Sequence, residues 1–166
     1  MIMNLPTSDH LVVNFPVSKL VSEKLFLELK TKKFTGYSYI TIYQENGFEE
    51  SILFFLNGKI VGCIYVIDNL DLYLYGKDAF SLCLNVFEVN DGVYNLFSLT
   101  DDQLKLILLF NEKIKFEKDI SDVKFTKEVL AYNKQRREIF FKDVPSDGFQ
   151  KKDLFNKFNI SDLLKG

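Results

Sequence analysis

Apolar residues recur at helical spacing in the first predicted element, which begins at Pro16. Proline suits the first turn of a helix, and the apolar residues after it are mostly three or four positions apart; they are Val17, Leu20, Val21, Leu25 and Leu29. Lysines follow them, where their charge suits the negative end of the helix dipole. The pattern predicts a helix that closes at about Lys33.

The spacing changes to two between Gly36 and Gln44, which predicts a strand. Ile40 and Ile42 share the face that we assign to the core. Three tyrosines occupy the other face, which we call the tyrosine face; they are Tyr37, Tyr39 and Tyr43. Because tyrosine combines a large apolar ring with a hydroxyl that can stay hydrated, these residues form the candidate partner surface. The alternative is that the protein's own helices cover this face.

Two Asn-Gly pairs separate β-rich runs and predict tight hairpins, because both residues accept positive φ. Asn46-Gly47 leads into a second strand, Ser51 to Leu56, and Asn57-Gly58 leads into a third, Ile60 to Ile67. Strands joined by such short turns pair antiparallel, so this part of the chain is predicted to be a meander.

Two further helices and one strand are predicted between Gly76 and Asn111. A helical pattern of apolar residues follows Gly76; its members are Ala79, Leu82, Cys83, Val86 and Phe87. A strand is predicted from Val93 to Leu99. Thr100 and Gln103 then form a capping-box pair at the start of a third helix, whose apolar positions are Leu104, Ile107 and Leu108.

This order of elements predicts an α+β fold, in which an antiparallel meander sheet of three strands plus one packs with helices. Beyond Glu112 the apolar periodicity weakens and the charge balance reverses. Residues 1–112 include eight basic and fourteen acidic residues, whereas residues 113–166 include thirteen and nine. We therefore predict a core domain over residues 1–112 and a basic helical extension over residues 113–166.

Three glycines, Gly36, Gly58 and Gly76, fall at the boundaries of predicted elements. At such positions the backbone often needs positive φ, or an approach so close that a side chain would prevent it. We interpret the three glycines as structural turns and not as parts of a site.

The composition supports an ordered globular domain, since 47% of the 166 residues are hydrophobic and 15% are aromatic. The net charge of −2 gives no general attraction to nucleic acid or to an anionic membrane. The apolar run from Ile60 to Ile67 is too short to span a membrane, and no signal peptide is recognised. A cytoplasmic protein is expected.

No recognisable catalytic, cofactor-binding or metal-binding motif occurs in the sequence. His10 is the only histidine and falls in an N-terminal segment expected to fray, while Cys63 and Cys83 each lie in an apolar run that suits a buried thiol. Two acidic pairs suit a loop and a helix start; they are Asp68 with Asp71 and Asp101 with Asp102. We expect no enzyme activity, no cofactor and no metal.

Lys134, Arg136 and Arg137 form a candidate basic contact, flanked by Tyr132 and Phe140. Such a cluster could touch phosphates, but it is more typical of a solvated helix face, and the acidic remainder of the chain disfavours nucleic acid. The expected partner is another protein or a second copy of this chain.

Four segments carry a resemblance to a known family. They are Phe34 with Gly36, Phe54 to Gly62, Tyr75 to Phe80, and Asp91 to Tyr94. Through them the stretch from Phe34 to Leu99 resembles a PATAN-type domain, a module of prokaryotic regulatory proteins, and related uncharacterised archaeal proteins that carry this core with a short C-terminal extension. The resemblance implies a non-catalytic adaptor in regulation or signalling, often linked to receiver-type partners.

The seventeen phenylalanines support a second hypothesis. In that interpretation the protein is a small-molecule-sensing domain, which holds an apolar ligand between the sheet and the helices. The sequence therefore leaves two functions open, an interaction module and a ligand sensor.

Overall fold

A central sheet organises this protein. The computed structural model describes residues 5–6, 9–44 and 47–125, which form seven strands and three α-helices. The strands are β1 (His10–Pro16), β2 (Gly36–Gln44), β3 (Gly47–Leu56), β4 (Lys59–Ile67), β5 (Leu72–Tyr75), β6 (Gly92–Ser98) and β7 (Lys115–Asp119). The helices are α1 (Ser22–Thr31), α2 (Gly76–Asn85) and α3 (Asp101–Phe110).

All seven strands belong to one sheet in the order β1-β6-β2-β3-β4-β5, and β7 also pairs with β4. Because β3 occupies one edge of β4, strands β5 and β7 share its other edge. Every pairing is antiparallel. The predicted α+β class with an antiparallel sheet is therefore confirmed.

The turn between β3 and β4 is the two-residue hairpin that the sequence predicts. Leu56 pairs with Lys59, so only Asn57 and Gly58 lie between the strands, and their φ angles are 50° and 76°. Positive φ at both residues matches the twist of the flanking strands. A Cβ atom on Gly58 would also lie 2.9 Å from the carbonyl oxygen of Lys30 in α1. Glycine is thus required both by the turn and by the packing of α1.

Three strands, β1, β5 and β7, were not predicted. Each is either short or irregular: β5 has four residues, β7 has five, and the pairing of β1 with β6 shifts register twice. Such segments lack the sustained alternation that identifies a strand. His10 therefore does not lie in a frayed segment but in β1, where its ring packs edge-on against Phe97 with centroids 4.5 Å apart.

Strand β7 corrects the predicted domain boundary. Its residues pair with Lys59, Ile60 and Gly62 of β4, and Ile114 just before it is buried in the core. The prediction that residues after Glu112 lie outside the sheet is therefore wrong for this strand. The pattern of apolar residues did not indicate it, because four of its five residues are charged, as is common in edge strands. Residues 126–166, the remainder of the predicted extension, lie outside the described residues.

Helices cover both faces of the sheet. On the face of Ile40 and Ile42, Phe26 of α1 packs edge-on against Phe55, with ring centroids 6.1 Å apart. On the tyrosine face, Leu104 of α3 joins a core cluster with Tyr37 and other buried side chains. Because helices cover both faces, the side chains of β4 are buried on both sides of the strand. The sequence of β4 is therefore a nearly continuous apolar run, without alternating polar residues.

The first and third helices differ in how closely they match their predictions. Pro16 ends β1, a short 3-10 turn follows at Val17–Lys19, and α1 begins only at Ser22. At α3 the capping box is present as predicted: the Gln103 backbone N–H donates to Thr100 Oγ1 at 3.2 Å, and the Thr100 N–H donates to Gln103 Oε1 at 2.9 Å. These two bonds satisfy N–H groups that a helix start leaves unpaired.

Candidate interaction surface

Tyr37, at the start of the tyrosine face, lies in the core. Only 3% of it is exposed, and its ring stacks on Phe97 with centroids 4.7 Å apart. Its hydroxyl donates to the carbonyl oxygen of Pro6 at 3.2 Å, and burial raises the pKa of this hydroxyl. Tyr37 cannot contact a partner in this state, so the predicted contact surface is wrong for this residue.

Tyr39 is intermediate between core and surface. It packs at the margin of the core cluster, and its hydroxyl donates a short hydrogen bond to Glu50 Oε1 on the neighbouring strand. Burial, followed by the hydrogen bond and negative charge of Glu50, raises the pKa of Tyr39. Both effects favour the neutral hydroxyl, so Tyr39 acts as a structural donor.

Tyr43, at the end of β2, is exposed and forms part of an apolar surface. It is 60% exposed and lies opposite Phe48 of β3, which is 54% exposed, with ring centroids 5.2 Å apart. Val93 of β6 is also exposed and lies opposite Thr41, on the same face. We call Tyr43, Phe48 and Val93 the open end of the tyrosine face. The sequence located its first member and missed the other two.

A second exposed apolar surface lies on α3. Leu106, Leu109 and Phe110 are 53%, 61% and 80% exposed. At 3.6 residues per turn they fall on the side of the helix away from the buried Leu104, and we call them the outer side of α3. Sequence reasoning assigned only the inner residues of this helix. The signal was present, since six of its last seven residues are apolar, too many for one buried stripe.

The remaining candidate residues do not form a site in the described part of the chain. Asp68 begins a short 3-10 turn that Asp71 closes with φ of 46°, while Asp101 and Asp102 lie in the first turn of α3. Within residues 5–6, 9–44 and 47–125, no group of three or more His, Cys, Asp or Glu side chains could hold a metal ion. The basic candidates lie outside the described residues; they are Lys134, Arg136 and Arg137.

Cys63 and Cys83 are free, buried thiols, as predicted. Cys63 Sγ donates to the carbonyl oxygen of Gly76 at 2.8 Å, and Cys83 Sγ donates to that of Ile64 at 3.3 Å. The neighbouring Cys83 thiol, followed by burial, raises the pKa of the Cys63 thiol. Because the thiolate is the nucleophilic form, this environment suits packing and not covalent chemistry.

A cavity of about 570 Å³ lies between α1 and residues 120–125. Its apolar lining consists of Phe26, Leu27, Ile120, Val123 and Phe125. Lys30 also lines it, and its Nζ donates to Asp119 Oδ1 at 3.1 Å and to Ser121 Oγ at 2.8 Å. Hydrogen bonds from Ser121 and Lys30 lower the pKa of the Asp119 carboxyl. The cavity has the size of a small-molecule site.

None of the helices within the described ranges is long and apolar enough to cross a membrane.

Comparison with known proteins identifies one family. The model of a family of uncharacterized proteins conserved in archaea (DUF2226) matches residues 3–111, more than half of the 166 residues. The chain therefore belongs to this archaeal family. No curated protein and no solved structure matches it. The family match ends between α3 and β7, so the matched segment contains both apolar surfaces described above.

Proposed function

We propose that this protein is a non-catalytic interaction module, which acts in archaeal regulation or signalling by docking a protein partner. The open end of the tyrosine face carries this proposal. Two aromatic side chains, Tyr43 and Phe48, lie in contact with each other and more than half exposed. Aromatic residues are enriched among those that contribute most to binding, and contiguous exposed apolar surface commonly marks an interface.

The adaptor role itself is drawn from the resemblance of residues 34–99 to PATAN-type domains. Membership of the family indicates an archaeal protein, but it assigns no activity to the chain. The two free thiols favour action in the cytoplasm, because a reducing compartment keeps cysteines unpaired.

A capture experiment with matched variants tests this function. The full chain is immobilised and exposed to archaeal cytosol, and the bound proteins are compared by mass spectrometry. We expect to find a partner whose captured amount falls at least about tenfold in the double variant Tyr43→Ser/Phe48→Ser. A loss of this size is typical when hot-spot residues are removed from an interface.

The control variant removes similarly exposed apolar side chains from another surface. Leu11 of β1 and Val21 just before α1 are 55% and 64% exposed, so Leu11→Ser/Val21→Ser removes two apolar side chains of similar exposure. The partner should remain bound to this control. Equal capture by the wild-type chain and both variants would refute the role of the open end.

The cavity beside α1 favours a second candidate, a small-molecule sensor. It lies between α1 and residues 120–125, and not between sheet and helices as the sequence hypothesis had it. An uncharged medium-chain fatty alcohol is a suitable probe, since the lining is largely apolar and Lys30 is already paired with Asp119. Binding would raise the melting temperature, and Val123→Trp should abolish that rise by filling the cavity. An unchanged melting temperature with the probe would remove this candidate.

A further inference from the structure

We propose that two copies of this chain associate around a two-fold axis, with the outer side of α3 of each copy packed on the open end of the other. The inference rests on the proposed function, because it names a second copy as the partner of the same surface. Two identical contacts would form, which is the arrangement expected of a closed symmetric dimer.

The shapes of the two surfaces support this arrangement. Leu104 of α3 lies in the cluster with Tyr37, and Tyr39 lies at the margin of that cluster, whereas Tyr43 is exposed. The helix therefore covers one end of the tyrosine face and leaves the other open. A helix is about 10 Å across, so α3 forms a ridge of about that height next to the uncovered open end. A two-fold rotation places the ridge of each copy on the open end of the other.

The area of the two surfaces is sufficient for a weak dimer. A whole aromatic side chain buries about 150–250 Å² when fully covered. Weighted by their exposed fractions, the six side chains of the two surfaces would bury about 600 Å² from each copy. The six are Tyr43, Phe48, Val93, Leu106, Leu109 and Phe110. A standard interface buries about 800 Å² per partner. The expected dimer therefore lies at the small end of specific interfaces.

The charges around the two surfaces are complementary. The exposed charged residues around the outer side of α3 are three lysines, Lys105, Lys113 and Lys115, and two acids, Asp102 and Glu112, of which Glu112 is paired with Lys115 at 3.4 Å. The open end is bordered by two acids: Glu50 lies two residues from Phe48 on the same face, and the exposed Asp91 lies two residues before Val93. Attraction between the two borders favours the contact of helix with sheet over the contact of sheet with sheet.

Reciprocal variants provide the test, with sedimentation of the full chain as the readout. Phe110→Lys alters only the helix surface, and Phe48→Glu alters only the sheet surface. We expect the wild-type chain to dimerise and each variant alone to be monomeric, with the Kd raised at least about tenfold. An equimolar mixture should dimerise again, because one contact is then native and the other joins the introduced lysine to the introduced glutamate.

Each alternative result overturns the proposal. A monomeric wild-type chain excludes the dimer, dimers in both variants exclude these surfaces, and an unrescued mixture excludes the helix-to-sheet contact. Circular dichroism checks that the variants fold; Leu109→Lys and Tyr43→Glu replace any variant that does not. Failure here leaves the capture experiment unaffected, since binding of a different protein to the open end needs no second copy.

Discussion

Exposure of the tyrosine side chains rises along β2, from the buried Tyr37 through Tyr39 to Tyr43. The cause is the position of α3, whose residue Leu104 packs in the cluster that contains Tyr37. Each ring therefore has a different energetic role, although all three point to the same side of the strand. Tyr37 stabilises the core, whereas Tyr43 remains available for binding.

This difference predicts opposite results for two substitutions on one strand. Tyr37→Ala should lower the free energy of unfolding by roughly 3–5 kcal/mol, the usual cost of truncating a buried aromatic side chain. Tyr43→Ala should change it by less than about 0.5 kcal/mol, as expected of an exposed residue. Denaturant unfolding measures both. Similar losses in the two variants would show that α3 does not divide the tyrosine face in this way.

At the scale of elements, the edge of β4 shows how short segments complete the sheet. β5 pairs with Ile64–Ile67, and β7 pairs with Lys59–Gly62 on the same edge. Two glycines make room where the segments meet: a Cβ on Gly62 would lie 2.8 Å from the carbonyl oxygen of Ile114, and one on Gly76 3.0 Å from that of Lys115. Close backbone approach, and not only a turn, explains the glycine at the first position of α2.

If β7 belongs to the core, the residue that leads into it should matter for stability. Ile114→Ala should lower the free energy of unfolding by roughly 2–5 kcal/mol, because Ile114 is 2% exposed and lies in the core cluster. The neighbouring Lys113→Ala, on an exposed side chain, is the matched control and should stay within about 0.5 kcal/mol. Equal, negligible effects would restore the boundary that the sequence predicts at residue 112.

For the whole molecule, helices on both faces of the sheet bury polar groups as well as apolar ones. Tyr94 of β6 is 1% exposed, and its hydroxyl has no hydrogen-bond partner among the described residues. Burial, with a smaller contribution from the charge of Glu28, raises the pKa of Tyr94. The folded chain therefore keeps this hydroxyl neutral at a pH where the unfolded chain ionises it.

This raised pKa predicts a loss of stability in alkali. The contribution of Tyr94 is complete below the unfolded pKa of about 10 and falls as the pH rises, by up to about 1.4 kcal/mol per pH unit. Tyr94→Phe should leave stability near pH 7 little changed and make the alkaline decline less steep. Unfolding free energies measured between neutral and alkaline pH test this, and parallel curves for wild type and variant would contradict it.

Local patterns predicted β4, α2 and α3 well, but they placed the start of the second strand at Ser51, whereas β3 begins at Gly47. The β3–β4 hairpin, the capping box at Thr100 and the helix after Gly76 match because neighbouring residues determine them. β1 and β7 were missed because each owes its conformation to pairing with a strand, β6 or β4, that is more than fifty positions away in the sequence. Phe48 was missed because the second strand was predicted to begin only at Ser51, and Val93 because only the sheet register places it beside Tyr43.

Turn chemistry and the alternation of side chains act over a few residues, so the sequence was sufficient to predict the antiparallel α+β class, the β3–β4 hairpin and the two faces of β2. Which face is covered, and where the cover ends, depends on tertiary packing. Leu104 of α3 joins the core cluster of Tyr37, more than sixty positions away in the sequence, whereas Tyr43 stays outside that cluster. Because burial is a property of the packed molecule, equivalent tyrosines in one strand became core at one end and surface at the other.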